Sequence, residues 1–243
     1  MIQEFRVKNF MSFKDEQILS FEATKDTTSL EYLTFEIKPN LRLLKMAIIY
    51  GANASGKSNL LFAIQKLRDL LFYTKTNKEE KIDFNSFSLT KEKPTEFGIT
   101  FYINGIKYQY SILYNKDQVL FEKFEYAPRG IISLFYSREF VGDDKVPIIK
   151  FGDLLGLSAK TKNTFIENTL NNHTLLSTFA KISVDAEPFK IIYDWIKDSL
   201  NVVAFDTNIL EITKEIIIDK KKKDFILESL SKADFNITKV ISF

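Results

Sequence analysis

Eight consecutive residues, Gly51-Ala52-Asn53-Ala54-Ser55-Gly56-Lys57-Ser58, carry the densest chemistry in the chain. They fit G-x-x-x-x-G-K-[ST], a loop that grips the phosphates of a nucleotide. Consecutive backbone N–H groups wrap the anion, and a side chain at Gly56 is expected to obstruct that approach. A helix opening near Lys57 turns its N-terminal N–H groups and the positive end of its dipole towards the phosphates. Lys57 places a point charge on the β and γ phosphates, and the Ser58 hydroxyl is a magnesium ligand in this motif. The expected binding set is Gly51, Asn53, Ala54, Ser55, Gly56, Lys57, Ser58 and Asn59, with Ser58 as the metal ligand. At average residue frequencies, a chain this long matches the four fixed positions by chance on the order of once in a hundred.

Such a loop needs a strand before it and a helix after it. The stretch "LLKMAIIY", ending at Tyr50, closes on an apolar run of the kind a buried parallel strand shows. Behind the loop, Leu60, Ile64, Leu67 and Leu71 recur at helical spacing, and Leu61, Leu70 and Phe72 widen the stripe. A helix buried around much of its circumference is predicted there. Upstream, Phe5 and Val7 alternate with charged residues as a first strand, and Gln17 to Ala23 reads as its partner. "KDTTSLEYL" is polar and predicted as loop. Downstream, Phe97, Ile99, Phe101 and Ile103 alternate, then Ile106, Tyr108, Tyr110 and Ile112 alternate again. Asn104-Gly105 between them supplies the positive φ angles of a two-residue hairpin turn. An antiparallel meander over residues 96–127 follows, which "GIISLFYSRE" and "VPIIKF" extend across the turn "VGDDK". From Asp153 the pattern is helical. Phe165, Leu170, Leu175, Leu176 and Phe179 face inward, and Asp185 stands as a possible N-cap ahead of Pro188. Phe189, Ile192 and Ile196 form a stripe. "NVVAF" and "ITKVISF" read as short strands around the helix "DFILESLSKA".

Composition narrows the chemistry. The 243 residues contain no Cys, which excludes disulfides, thiolate metal sites and Cys nucleophiles. No apolar run approaches the roughly 18 residues of a membrane span, and the start "MIQEFRVKNF" lacks the apolar centre of a signal peptide. A cytoplasmic protein without membrane association is expected. The net charge of +2 does not announce nucleic-acid binding. The one dense basic run, Asp219 to Asp224, reads first as a solvated helix start or loop, with a phosphate-backbone contact as the sharper alternative. The single His, His173, has no partner for a catalytic set and reads as structural or surface. "DLLG" (Asp153 to Gly156) fits a GTPase D-x-x-G pattern, but no Asn-Lys-x-Asp guanine-reading motif accompanies it.

"GANASGKSNLL", with the opening "FRVKNFMSF", resembles the ABC-type ATPase heads of AAA-annotated bacterial proteins related to the OLD nucleases, and more distantly RecF and SMC heads. Asn9-Phe10 and Ser12-Phe13 match the turn that ends the first strand in those heads. Residues 96–127 match their antiparallel meander, and "SKADFNITKVISF" resembles the segment before their signature motif. Ala54 stands where RecF and SMC heads usually have Gly, while the closer relatives accept Ala.

The resemblance implies an α/β fold of the P-loop NTPase type: an ABC-ATPase-like N-terminal lobe with an antiparallel β meander and a helical arm. It divides the chain into a P-loop lobe with the β subdomain (1–152), a helical arm (153–200) and the start of a second lobe (201–243). It implies ATP and Mg²⁺ as ligands, with ATP acting as a switch between dimerised heads in DNA-linked or anti-phage defence processes. In such heads the second half adds a Walker B strand ending in Asp-Glu, a signature Ser and a switch His. Asp206 ("NVVAFDT") and Asp219 ("EIIIDK") are followed by Thr207 and Lys220 rather than Glu, and read as apolar strands ending in a surface Asp. No second Ser-Gly pair exists, and Gln109 and Gln118 both lie in the meander, so no Q-loop glutamine is assigned. The resemblance therefore covers only the N-terminal half of such a protein, and no catalytic residue is assigned. The implied partner is a second ATPase head, or a chain supplying signature and Walker B motifs. The alternatives are a nucleotide-binding or interaction module that does not hydrolyse, or, less favoured, a GTPase or small kinase.

Overall fold

The computed structural model describes residues 1–24, 30–140, 146–202 and 218–232. The chain divides into two compact units, Met1–Val202 and Val203–Phe243. The strands of the first unit's main sheet are β1 (Ile2–Lys8), β2 (Gln17–Ser20), β5 (Thr95–Ile103), β6 (Ile106–Tyr114), β7 (Val119–Tyr126), β8 (Ser133–Glu139) and β9 (Ile148–Phe151). They lie in the order β2-β1-β5-β6-β7-β8-β9, antiparallel at every pairing. The predicted hairpin closes at Asn104 (φ 49°) and Gly105 (φ 79°), both left-handed as a type I′ turn requires. The edge strands β2 and β9 have four residues each, which leaves little edge for unwanted pairing. The turn expected at "VGDDK" lies outside the described residues.

Alternation places Phe5, Val7, Phe97, Ile99, Phe101, Tyr110, Ile112 and Phe124 in the core. A register shift between Phe124 and Glu125 lets consecutive Phe135 and Tyr136 both be buried, as a β-bulge does. Four helices pack into the same core: α2 (Lys57–Phe72), α3 (Ala159–Asn168), α4 (Leu175–Phe179) and α5 (Glu187–Ser199). Phe189 of α5 meets Phe135 at 5.0 Å and Phe165 at 4.5 Å, and Trp195 stacks on Phe101 at 4.2 Å with the rings 8° apart.

Several expectations need correction. Residues 46–50 form no strand, and Met46, Ile48, Ile49 and Tyr50 are exposed. Among the described residues no strand pairs with them, and a parallel strand stands only where neighbours satisfy its backbone. The strand nearest in sequence, β4 (Leu41–Leu44), pairs instead with β3 (Thr34–Lys38) in a separate two-stranded sheet. "TFEIKPNLRLL" carried that hairpin unread, with Asn40 (φ 65°) turning it. Leu30–Leu33, expected as loop, is a helical turn, α1. Helix α2 is buried on one face only, through Ala63, Leu67, Leu70 and Leu71, while Leu61 and Phe62 are exposed. The N-cap of α5 is Ala186 rather than Asp185, with Pro188 in the first turn as predicted. His173 sits in the turn between α3 and α4 instead of within a helix.

In the second unit, α6 (Lys220–Lys232) starts at the lysine run. Asp219 Oδ1 accepts from the N–H groups of Lys221 (2.9 Å) and Lys222 (3.2 Å), so it caps a helix, while the apolar run expected as a strand before it lies largely outside the described residues. Asp206 and "ITKVISF" lie outside the described residues. No helix among those residues is long and apolar enough to cross a membrane.

Candidate functional site

The loop before α2 curls tightly. Ala54 (φ 63°) and Gly56 (φ 94°) both take left-handed backbone, and Ser55 N–H donates to the Ala52 carbonyl at 3.3 Å. A Cβ on Gly51 would stand 3.0 Å from Ser55 Oγ, so the two ends of the curl nearly touch. The Lys57 ammonium reaches back across the loop and donates to the carbonyls of Gly51 and Ala52, each at 2.8 Å.

Gly56 is the N-cap of α2 and has no side chain to satisfy the helix. The first intrahelical bond runs from Leu60 N–H to the Gly56 carbonyl at 3.1 Å. The N–H groups of Lys57, Ser58 and Asn59 therefore have no partner within their own helix and lie at the positive end of a 16-residue dipole. That donor set, a cation held by two replaceable carbonyls, and the exposed hydroxyl-bearing Ser58 beside it fit a nucleotide phosphate with its divalent ion.

Packing within the protein adds a second demand for glycine at position 56. A Cβ there would come 2.9 Å from Ser12 Oγ and 3.3 Å from the Phe13 ring, so the obstruction is with the turn between β1 and β2. Asn59 also faces that turn, donating from Nδ2 to Ser12 Oγ at 2.9 Å. Asn53 and Ala54 stand exposed on the loop. A cleft of about 410 Å³ opens beside the loop, between Gly51, Ser55, Gly56, Lys57 and Leu60 on one side and Phe13, Gln17, Ile18, Leu19, Ile49 and Tyr50 on the other. It falls within the usual size of small-molecule sites, roughly 300–1,000 Å³. The motif found the first wall. The second comes largely from Phe13 of "NFMSF" and from Gln17, Ile18 and Leu19 of β2, roughly forty positions upstream, where the sequence showed a turn and a partner strand but no link to the loop.

The other singled-out residues lie elsewhere. His173 is buried, its Nδ1 accepting from Lys75 N–H at 3.3 Å. Burial, reinforced by the Arg138 charge and opposed by a bond to the Asn168 carbonyl, lowers its pKa to about 4. Gln109 lies in β6 and Gln118 in the turn before β7. "DLLG" forms a 3-10 turn closed by left-handed Gly156, and none of it lines the loop cleft. Among the described residues no group of three or more His, Cys, Asp or Glu could hold a metal ion.

A family model described as "AAA domain, putative AbiEii toxin, Type IV TA system" matches residues 46–240, well over half of the chain, and begins five residues before the loop. No curated protein matches the chain.

Proposed function

The chain belongs to this family of AAA domains, which are P-loop ATPases, and from that premise we propose that it is the Mg-ATP-binding lobe of an ABC-type, OLD-like ATPase. One observation carries the reading: Lys57 spans the carbonyls of Gly51 and Ala52 at the uncapped start of α2. On binding, the ammonium exchanges those carbonyls for β and γ phosphate oxygens, and the α2 N–H groups meet the same charge. A magnesium ion there would supply positive charge to the phosphates during phosphoryl transfer. Ser58 is the residue that would hold it.

ATP acts here as a switch. It brings a second head, or a chain carrying Asp-Glu and a signature Ser, against the loop, in a DNA-linked or anti-phage defence process. No apolar strand in the sequence ends in Asp-Glu. Hydrolysis by residues 1–243 alone is therefore expected to be absent or very slow. A clear ATPase rate from the purified chain, lost in Lys57→Ala, would overturn that expectation. The second reading is a binding module in which ATP is not hydrolysed. It is favoured if no added partner restores turnover. A GTPase is the weaker reading, since Asp153 to Gly156 lies away from the loop cleft. Competition between ATP and GTP for the site separates the two.

A further inference from the structure

We propose that the turn between β1 and β2 is part of the nucleotide site, with Ser12 and Asn9 acting as positioning residues for the phosphate loop. This rests on the nucleotide-binding reading of Gly51–Ser58 and adds residues outside that motif.

The base of the turn is fixed to the sheet. Asn9 (φ 52°) and Met11 (φ 46°) both take left-handed backbone, which Asn tolerates better than most residues. The Asn9 side chain is 4% exposed. Its Nδ2 reaches the carbonyls of Lys93 (2.6 Å), Pro94 (3.1 Å) and Thr90 (3.3 Å), and its Oδ1 accepts from Thr90 Oγ1 at 2.5 Å. Thr95 Oγ1 donates to the Asn9 carbonyl at 2.7 Å, and Met11 N–H to the Asn85 carbonyl at 2.7 Å. Phe10 and Phe13 exchange two backbone bonds, at 2.9 and 2.8 Å.

The tip of the turn is fixed to the loop. Ser12 Oγ accepts from Asn59 Nδ2, and Ser12 with Phe13 fills the space a Cβ on Gly56 would need. On its other side the loop is entered by residues 46–50, which form no strand. The curl thus has an internal brace, Lys57 on its own carbonyls, and an external one, the turn. A phosphate that draws Lys57 away removes the internal brace. The Ser12–Asn59 bond then holds the first turn of α2, and with it the aim of the N–H groups.

The test is the dissociation constant of a fluorescent ATP analogue with Mg²⁺, measured on the full chain. Ser12→Ala and Asn59→Ala should each weaken binding about five-fold, the equivalent of one neutral hydrogen bond at roughly 1 kcal/mol. The double variant should be no more than about two-fold weaker than the worse single, because both remove the same bond. Ser12→Thr keeps the hydroxyl and should keep affinity. Asn9→Ala should weaken binding while also lowering stability, so Ser12→Ala is the deciding variant: Ser12 is exposed, and its substitution should leave Trp195-monitored unfolding unchanged. Single variants within two-fold of wild type, or effects that multiply in the double, overturn the proposal while Lys57-dependent binding persists. If the wild type shows no Lys57-dependent binding, the nucleotide reading itself falls, and the proposal with it.

Discussion

Glu122 on β7 and Arg138 on β8 stand 4.0 Å apart with no exposed surface on either side chain, yet each is held mainly by other groups. Tyr136 and Tyr110 donate their hydroxyls to Glu122 Oε1 at 2.6 and 3.1 Å, and Leu175 N–H donates to Oε2 at 3.1 Å. Arg138 donates to the carbonyls of His173 (2.7 Å) and Leu170 (3.0 Å). The pair therefore ties the meander to the segment between α3 and α4. That segment in turn grips the phosphate-loop helix, since Thr174 Oγ1 donates to the Leu70 carbonyl at 2.8 Å.

Removing one member should be costly. Glu122→Ala leaves two buried hydroxyls and a buried guanidinium short of a partner, and should lower unfolding stability by about 3–5 kcal/mol. Glu122→Gln should cost less. Burial already pushes the Glu122 carboxyl up in spite of Arg138, so a neutral group of the same shape suits the site better than none. Urea unfolding followed at Trp195, the single Trp, reads both variants. Equal stability of Glu122→Ala and wild type would contradict the assignment.

His173 predicts a pH dependence. Its folded pKa of about 4 lies below the ordinary value of 6.5. Above pH 6.5 both states hold the ring neutral and its contribution is complete. As pH falls from 6.5 towards 4 the unfolded chain takes up a proton that the folded chain refuses, and stability drops by roughly 1.4 kcal/mol per unit. Because the chain has one His, the difference between wild type and His173→Gln isolates the effect. That difference should vary over this range and be flat above it. A flat difference throughout would show that the ring is not buried neutral.

Ala54 holds a left-handed backbone at φ 63°, a conformation costing a non-glycine residue roughly 1–2 kcal/mol. Glycine would relieve that strain but loses about 0.5–1 kcal/mol of backbone entropy on folding. Ala54→Gly should therefore leave the melting temperature unchanged or slightly raised, with nucleotide affinity retained. A marked loss of stability would contradict the loop geometry.

What the sequence disclosed was local. Asn104-Gly105 specified its turn from two residues, and the loop motif specified the curl and the start of α2 because spacing within eight residues suffices. What it hid depended on distant parts of the chain. The apolar run ending at Tyr50 signals a demand for burial, but pairing is decided by whether a neighbouring strand is there, and periodicity cannot report that. Glu122 sits in "VLFEKFEY", where a charged residue reads as facing water, and only the Tyr110, Tyr136 and Arg138 side chains brought by other strands make its burial tolerable. The role of Ser12 against Gly56 was invisible for the same reason, since 44 positions separate them in the chain.

Whether Gly51–Ser58 holds a nucleotide through Lys57 and the start of α2 is tested most directly by isothermal titration. Mg-ATP is titrated into the full chain, beside a Lys57→Ala variant of equal melting temperature. Saturable one-site binding by the wild type, weakened at least ten-fold in the variant, is predicted. Equal binding by both proteins, or none by the wild type, would contradict it.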